Sequence, residues 1–329
     1  MQKHAGFIVG AYPCAPSFHQ RNENEETEFW RKLADIPGIR GIEQPCLETL
    51  HPYGDEWLFR HLPDEWDIVV TGVMETMRRR GTLPGFGLAS EDAEQRRACV
   101  GFYRHIFEKV EQTNTRFGRN KVLAVELQSA PLAGTQNVSL AARCFTESLQ
   151  EILSWDWPCG LIIEHCDAMD KPAARKGFLP LAHELTAIAE AKARTGKTAA
   201  MCINWARSAI EGRNTSLPLE HLQISQQAGV LQALMFSGTT REGAYGDWQD
   251  LHAPFAPFAG SEAGCQESLM TIDIAAEMFR HASPESLSFS GIKLLEINAS
   301  AGVDHRIAIL QDGIKAMNLA IDKKTITLK

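Results

Sequence analysis

Eight short apolar runs separated by helix-forming stretches constrain this chain more than any other feature. Strands of a parallel sheet are covered on both faces, so they read as nearly continuous hydrophobic segments. Such runs occur at 7–12, 39–44, 68–73, 122–127, 160–165, 198–204, 231–236 and 292–297. Helical spacing fills the intervals at 25–33, 55–61, 91–114, 139–154, 179–194, 219–227, 267–281 and 304–321, with Gly196 and Gly229 placed as helix terminators. Eight strand–helix units predict a closed (β/α)8 TIM barrel. The 329 residues, 44% of them hydrophobic, suit one barrel domain spanning 1–329 better than two ordinary domains. No signature repeats with a period of about 20–50 residues, which argues against a solenoid.

The formal net charge of −8 provides no basic field for a nucleic-acid backbone, so nucleic acid is not an expected partner. The longest basic run, Arg78-Arg79-Arg80, reads as a solvated loop, with a phosphate contact as the alternative. The apolar stretch 6–11 is too short for a signal segment or a membrane span, and no other stretch approaches about 18 uninterrupted apolar residues. The expectation is a cytoplasmic protein without a membrane partner. Eight cysteines form no CxxC pair and no zinc-like spacing, and they read as reduced thiols, with Cys14, Cys46 and Cys166 near strand ends. No GxGxxG turn, P-loop, GxSxG elbow or HExxH helix is present, which disfavours the corresponding chemistries.

In a barrel, the C-terminal ends of the strands build the active site, so polar residues that end apolar runs are the informative ones. Glu43, Glu126, Glu164 and Glu296 end four different runs, and Gln128, His165, Asp167, Asn204, Arg207 and Ser237 lie close behind such ends. Alternate residues of a strand face the same side. On that basis Glu126 (with Ala124 and Val122), Glu164 (with Ile162) and Glu296 (with Leu294 and Ile292) are expected to point inward. Lys293 is expected to face the helices. A single terminal glutamate is commonly a helix cap or an arginine partner. Four at one mouth instead predict a shared site in which like charges perturb one another, as in acid–base catalysis.

With Ile163-Glu164 at the fifth strand and Leu295-Glu296-Ile297-Asn298 at the eighth, the chain resembles the xylose isomerase-like, or sugar phosphate isomerase/epimerase-like, barrels, as an uncharacterised branch. The likeness spans nearly the whole chain in strand order, although each motif is short. It implies an isomerase or epimerase acting on a sugar, sugar acid or sugar phosphate, with Glu164 and Glu296 as the proton-transfer pair. Glu43, Glu126, Gln128, His165, Asn204, Arg207, Ser237 and His252 would contact this small carbohydrate substrate. It also implies a divalent metal such as Mg2+ or Mn2+, with Glu164, Glu296, His165 and Asp167 as candidate ligands. The positions that would complete such a metal site after strands 6 and 7 here hold Asn204 and Ser237, which weakens it, and His165, Asp167, Asp250 or His252 could substitute from neighbouring loops.

The connection at 237–266 is long for a βα loop and carries Tyr245, Trp248, His252, Phe255 and Phe258, which reads as a lid over the mouth. The same aromatics could pack on the rim or join two copies, which leaves a homo-oligomer open. Two other functional readings remain: a glycoside hydrolase using Glu126 as its acid, and a non-catalytic sugar-binding barrel.

Overall fold

The computed structural model describes residues 6–172 and 174–326. Eight strands, β1 (Phe7–Gly10), β2 (Ile39–Pro45), β3 (Asp67–Thr71), β4 (Val122–Leu127), β5 (Gly160–Glu164), β6 (Ala200–Asn204), β7 (Leu231–Phe236) and β8 (Phe289–Lys293), pair in parallel around a closed barrel in sequence order. The barrel interior holds Ile8, Val69, Ala124, Ile162, Ala200, Cys202, Ala233, Met235 and Phe289, while the alternate residues pack outward on the helices in a much larger cluster. Covering both faces explains why each strand run contains so few polar residues. Gly41 is required where β2 meets β3, because a Cβ there would lie 2.1 Å from the Asp67 carbonyl oxygen.

The helices are α1 (Glu23–Ala34), α2 (Asp55–His61), α3 (Val73–Arg80), α4 (Ala93–Phe117), α5 (Val138–Ser154), α6 (Leu181–Thr195), α7 (Trp205–Gly212), α8 (Leu217–Gln227), α9 (Ile272–His281) and α10 (Val303–Ile326). Their ends carry ordinary stop and start chemistry. Asp92 caps α4 by accepting from the Glu94 and Gln95 backbone amides, and α6 stops at Gly196 in the left-handed conformation. No helix among the described residues is long and apolar enough to cross a membrane.

Two helices depart from the sequence expectation. The arginine run lies on α3, not in a loop, where Glu75 pairs with Arg78 and Arg79 one turn further on. Helix α7 begins directly after β6, and its first six residues are all buried, so it lacks the polar face that makes a helix recognisable. Strand β8 also lies earlier than its apolar run suggested. Its register is set by pairs such as Ala233↔Phe289 and Gly291↔Met235, and after Lys293 the chain leaves the sheet. Leu295 then donates its amide to the His252 carbonyl in the mouth. This shift reverses the expected side-chain directions: Ile292 and Leu294 pack on the helices, and Lys293 points into the barrel.

Residues 237–271 fold across the mouth. Short antiparallel bridges join Gly238 to Ala253 and Thr240 to Ser268, and the Tyr245 hydroxyl donates to the Leu295 carbonyl at 2.8 Å. Trp248 and Phe255 are buried in the main core. His252 is held at φ +49°, a backbone conformation that non-glycine residues rarely adopt, next to the polar centre of the barrel.

Candidate active site

Above the apolar layer of the barrel interior lies a second layer that is almost wholly polar. Glu43, Glu126, Glu164, Asn204, Ser237 and Lys293 fill it, all essentially without solvent exposure. Strand alternation puts them there. Glu126 sits two residues beyond Ala124, Glu164 beyond Ile162, Asn204 beyond Cys202 and Ser237 beyond Met235, and each of those predecessors belongs to the interior cluster. Lys293 is four residues beyond Phe289, on the same face. Gly10 makes room for it, since a Cβ at that position would stand 3.0 Å from the lysine Cγ.

The charges in this layer are arranged around Glu164. Its Oε1 accepts from Asn204 Nδ2 at 3.1 Å and faces Lys293 Nζ at 3.3 Å, and its Oε2 meets Arg207 Nη1 at 2.5 Å. The Asn204 amide oxygen in turn accepts from the Ser237 hydroxyl at 2.8 Å. Lys293 Nζ also lies 2.6 Å from Glu43 Oε1. Arg207, on the first turn of α7, reaches Asp250 at 3.4 Å, and Asp250 is further held by Lys176, while the His252 ring lies beside it with Nδ1 3.4 Å from its other oxygen. The long connection after β7 is therefore tied to the barrel centre by ion pairs.

These surroundings drive the carboxyl groups apart. Burial disfavours the Glu164 anion, but Arg207 and Lys293 outweigh it and bring its pKa down to about 2. Burial lifts Glu43 to about 7, with Lys293 only partly opposing it. Glu126 is held well above the usual carboxyl range by burial and by the charges of Glu164 and Glu43. Neither of its oxygens finds a hydrogen-bonding partner among the described residues. His252 is pushed down to about 3, first by burial and then by Lys293 and Arg207 against the pull of Asp250, so its ring is neutral.

A stability profile follows from Glu43 and Glu164. Between its ordinary value of 4.5 and its folded value of about 7, Glu43 binds more protons in the folded chain than in the unfolded one, so stability falls as pH rises through that interval. The loss amounts to roughly 3 kcal/mol, complete above the folded pKa. Glu164 acts in the opposite sense, its contribution being lost as pH drops from 4.5 towards about 2. Urea denaturation of the Glu43→Gln variant should show a flatter slope between pH 5 and 8 than the parent chain. Identical slopes would remove Glu43 as the titrating group.

The other expected site residues are distributed around this centre. Gln128 is anchored on the Tyr103 hydroxyl at 2.7 Å and lies 3.4 Å from Thr71 Oγ1. Asp167 accepts the Lys176 backbone amide at 2.8 Å, together with that of Arg175, and so shapes the segment that carries Lys176. His165 has the opposite parity to Glu164 and lies behind the barrel wall, with Nδ1 2.7 Å from Glu184 and Nε2 3.1 Å from Glu211. Burial opposes a charge on His165, but the two carboxylates raise its pKa to about 10. Glu296 lies past the end of β8, where its carboxylate takes the Asn298 amide at 2.6 Å and His305 Nε2 at 2.9 Å. It is not part of the Glu43–Glu126–Glu164 layer.

Lys293 corrects the parity argument made from sequence, and Tyr12, Lys176 and the structural role of Asp250 were not found there at all. Beside the layer opens a cleft of about 620 Å³ lined by Tyr12, Arg21, Glu26, Gln44, His51 and Met74 among others. Burial pushes the Tyr12 hydroxyl up, leaving it a neutral hydrogen-bond donor close enough to feel the charges of Lys293 and Glu43. At the cleft wall the Glu26 carboxylate accepts from Ser17 N, Trp30 Nε1 and His51 Nε2 at 2.8, 2.9 and 3.0 Å.

Residues 8–309 match the family described as a domain of unknown function, DUF4862. The chain belongs to this family. An uncharacterized protein of Salmonella typhimurium, STM3670, is 61% identical over 322 residues, covering 97% of this chain and 99% of its own. Solved structures of similar fold include a candidate xylose isomerase from Rhodospirillum rubrum (TM-score 0.61, 11% identity, 95% of this chain and 98% of the other). A candidate sugar phosphate isomerase/epimerase from Anabaena variabilis is also similar (0.59, 12%, 97% and 98%), as is the IolI protein with a bound zinc atom (0.54, 12%, 97% and 97%). The fold is thus that of the xylose isomerase-like barrels.

The metal implied by that resemblance can be tested against the residues present. At the barrel centre they do not fit it. Glu164 Oε1 accepts from Asn204 and faces Lys293, its Oε2 is ion-paired with Arg207, and Asn204 turns its amide nitrogen, not its oxygen, towards the carboxylate. Glu296, the other implied ligand, is engaged elsewhere. Among the described residues, one group of three brings possible ligand atoms within 4.8 Å of one another, His165, Glu211 and His221. Its geometry is already explained by the ion pairs of a charged His165 with Glu184 and Glu211.

Proposed function

We propose that this protein is an enzyme that isomerises or epimerises a sugar, sugar acid or sugar phosphate by moving a proton at a carbon beside a carbonyl. The observation that carries this reading is a set of three buried carboxyls at the mouth, Glu43 on β2, Glu126 on β4 and Glu164 on β5, the first two with raised and the third with lowered pKa, next to two fixed cations. Divergent pKa values divide acid from base. Glu43, near 7, is the base that takes the proton from carbon. The electron pair moves onto the carbonyl oxygen, and Lys293 and Arg207 stabilise the resulting enediolate. Glu126, protonated at neutral pH, returns a proton to the same carbon from the opposite face for epimerisation, or to the former carbonyl carbon for isomerisation, in which case the proton of the adjacent hydroxyl passes to the former carbonyl oxygen.

This assignment shifts the acid–base pair away from Glu164 and Glu296. Glu164 is held as an anion and serves to orient Lys293 and Arg207, while Glu296 belongs to the loop before α10. Since the polar layer is buried, substrate entry requires the 237–271 segment to move, breaking the contacts of Asp250. The reading is tested by incubating the protein with aldoses, ketoses, uronates and their phosphates in D2O. Deuterium should enter at a carbon next to the carbonyl. Turnover without exchange in either direction would refute the proton-transfer mechanism.

The pairing of Glu164 with Asn204, Lys293 and Arg207 favours a second reading, a barrel that binds a carbohydrate without transforming it. Ligand-dependent rises in melting temperature across the same panel, with no exchange and no product, would select it.

A further inference from the structure

We infer that the Lys293 ammonium is the resident cation of this barrel, occupying the space between strand-end carboxylates in which an exchangeable divalent ion would otherwise sit. The inference rests on where Nζ lies and not on any reaction, so it stands apart from the proposed isomerase activity. Nζ is fully buried, 2.6 Å from a Glu43 oxygen on β2 and 3.3 Å from a Glu164 oxygen on β5. Those are contacts of a charged amine bridging two carboxylates. The stem that brings it there threads past Gly10, where an added Cβ would stand only 3.0 Å from the lysine Cγ.

The remaining groups match a lysine and not a metal. Glu164 spends its second oxygen on Arg207, and Asn204 presents N–H to the first. Counted by charge, the carboxylates of Glu43 and Glu164 are balanced by Lys293 and Arg207. A divalent ion added to this set would leave two uncompensated positive charges in a dry interior, which is strongly unfavourable. A neutral lysine serving as an imine-forming nucleophile is disfavoured for the same reason, since both carboxylates hold the proton on Nζ.

The test is metal binding by the intact chain. Equilibrium dialysis against Mn2+ should find no ion bound between Glu43 and Glu164 in the parent protein, and neither chelator nor millimolar Mn2+ should shift its melting temperature. Lys293→Met keeps the stem and removes the charge, leaving two buried carboxylates short of a cation. This variant should take up one Mn2+ per chain, with a rise in melting temperature of roughly 5 °C that chelator reverses. A folded Lys293→Met chain indifferent to Mn2+ would overturn the inference. So would stoichiometric Mn2+ in the parent that Glu164→Gln abolishes, and this measurement decides alone should Lys293→Met yield no folded protein. Because the readout is bound metal, a failure here is distinct from an absence of carbohydrate turnover.

Discussion

Replacing Arg207 by leucine is expected to destabilise the folded chain by roughly 3–5 kcal/mol, because it strands buried carboxylates. The guanidinium is 1% exposed and lies between two acids of different origin, Glu164 from β5 and Asp250 from the long connection after β7. Burying those acids has a desolvation penalty that Arg207 offsets. Without it, Glu164 would share Lys293 with Glu43, and Asp250 would retain only Lys176 as a charged partner. Arg207→Lys should recover part of the loss, since one ammonium cannot reproduce the planar fork that meets two partners. The exposed pair Arg31–Asp35, with side chains 65% and 74% accessible, provides the control. Arg31→Ala should change stability by about 0.5 kcal/mol or less. Urea denaturation measures all three, and a loss below about 1 kcal/mol for Arg207→Leu would mean that the network contributes little to holding the connection across the mouth.

The barrel was legible because its signal is repeated. Eight apolar runs, each too short for a helix and each followed by a helical segment, admit few other topologies. Glu43, Glu126 and Glu164 were legible for a related reason: a carboxylate that ends a hydrophobic run is conspicuous, and alternation gives its direction once the strand frame is right. At β8 the frame was wrong. The run Ile292-Lys293-Leu294-Leu295 looks like the strand itself, yet hydrogen bonding to β7 and β1 uses Phe289–Lys293, so the inward place at the strand end belongs to Lys293 and not to Glu296. A three-residue offset is odd, and in a structure of period two it turns every side chain over. Arg207 was found near its strand end, but its partners were not, because Asp250 and Lys176 come from separate loops that only the folded chain brings together.

Glu126 should respond to substitution with opposite signs in stability and in activity. Its two oxygens are buried without a hydrogen-bonding partner among the described residues, and the neighbouring anions Glu43 and Glu164 make ionisation there still less favourable. A polar group in that condition costs the fold about 1–3 kcal/mol relative to an apolar side chain of similar size. Glu126→Leu is therefore expected to raise stability by an amount in that range, although it lies at the centre of the barrel, where most changes destabilise. The same substitution removes the proton donor of the proposed reaction, and Glu126→Gln removes it while keeping the shape. Both variants should lower deuterium exchange into the substrate by roughly 10²–10⁴-fold, the usual contribution of a general acid. Glu43→Gln should do the same without a gain in stability, because it removes a carboxylate that pairs with Lys293. Denaturation curves alongside exchange rates separate the outcomes. If Glu126→Leu weakens the fold, the carboxyl is making contacts essential to the barrel, and if exchange persists in both variants, the acid must be sought among the other groups facing the mouth, beginning with Tyr12.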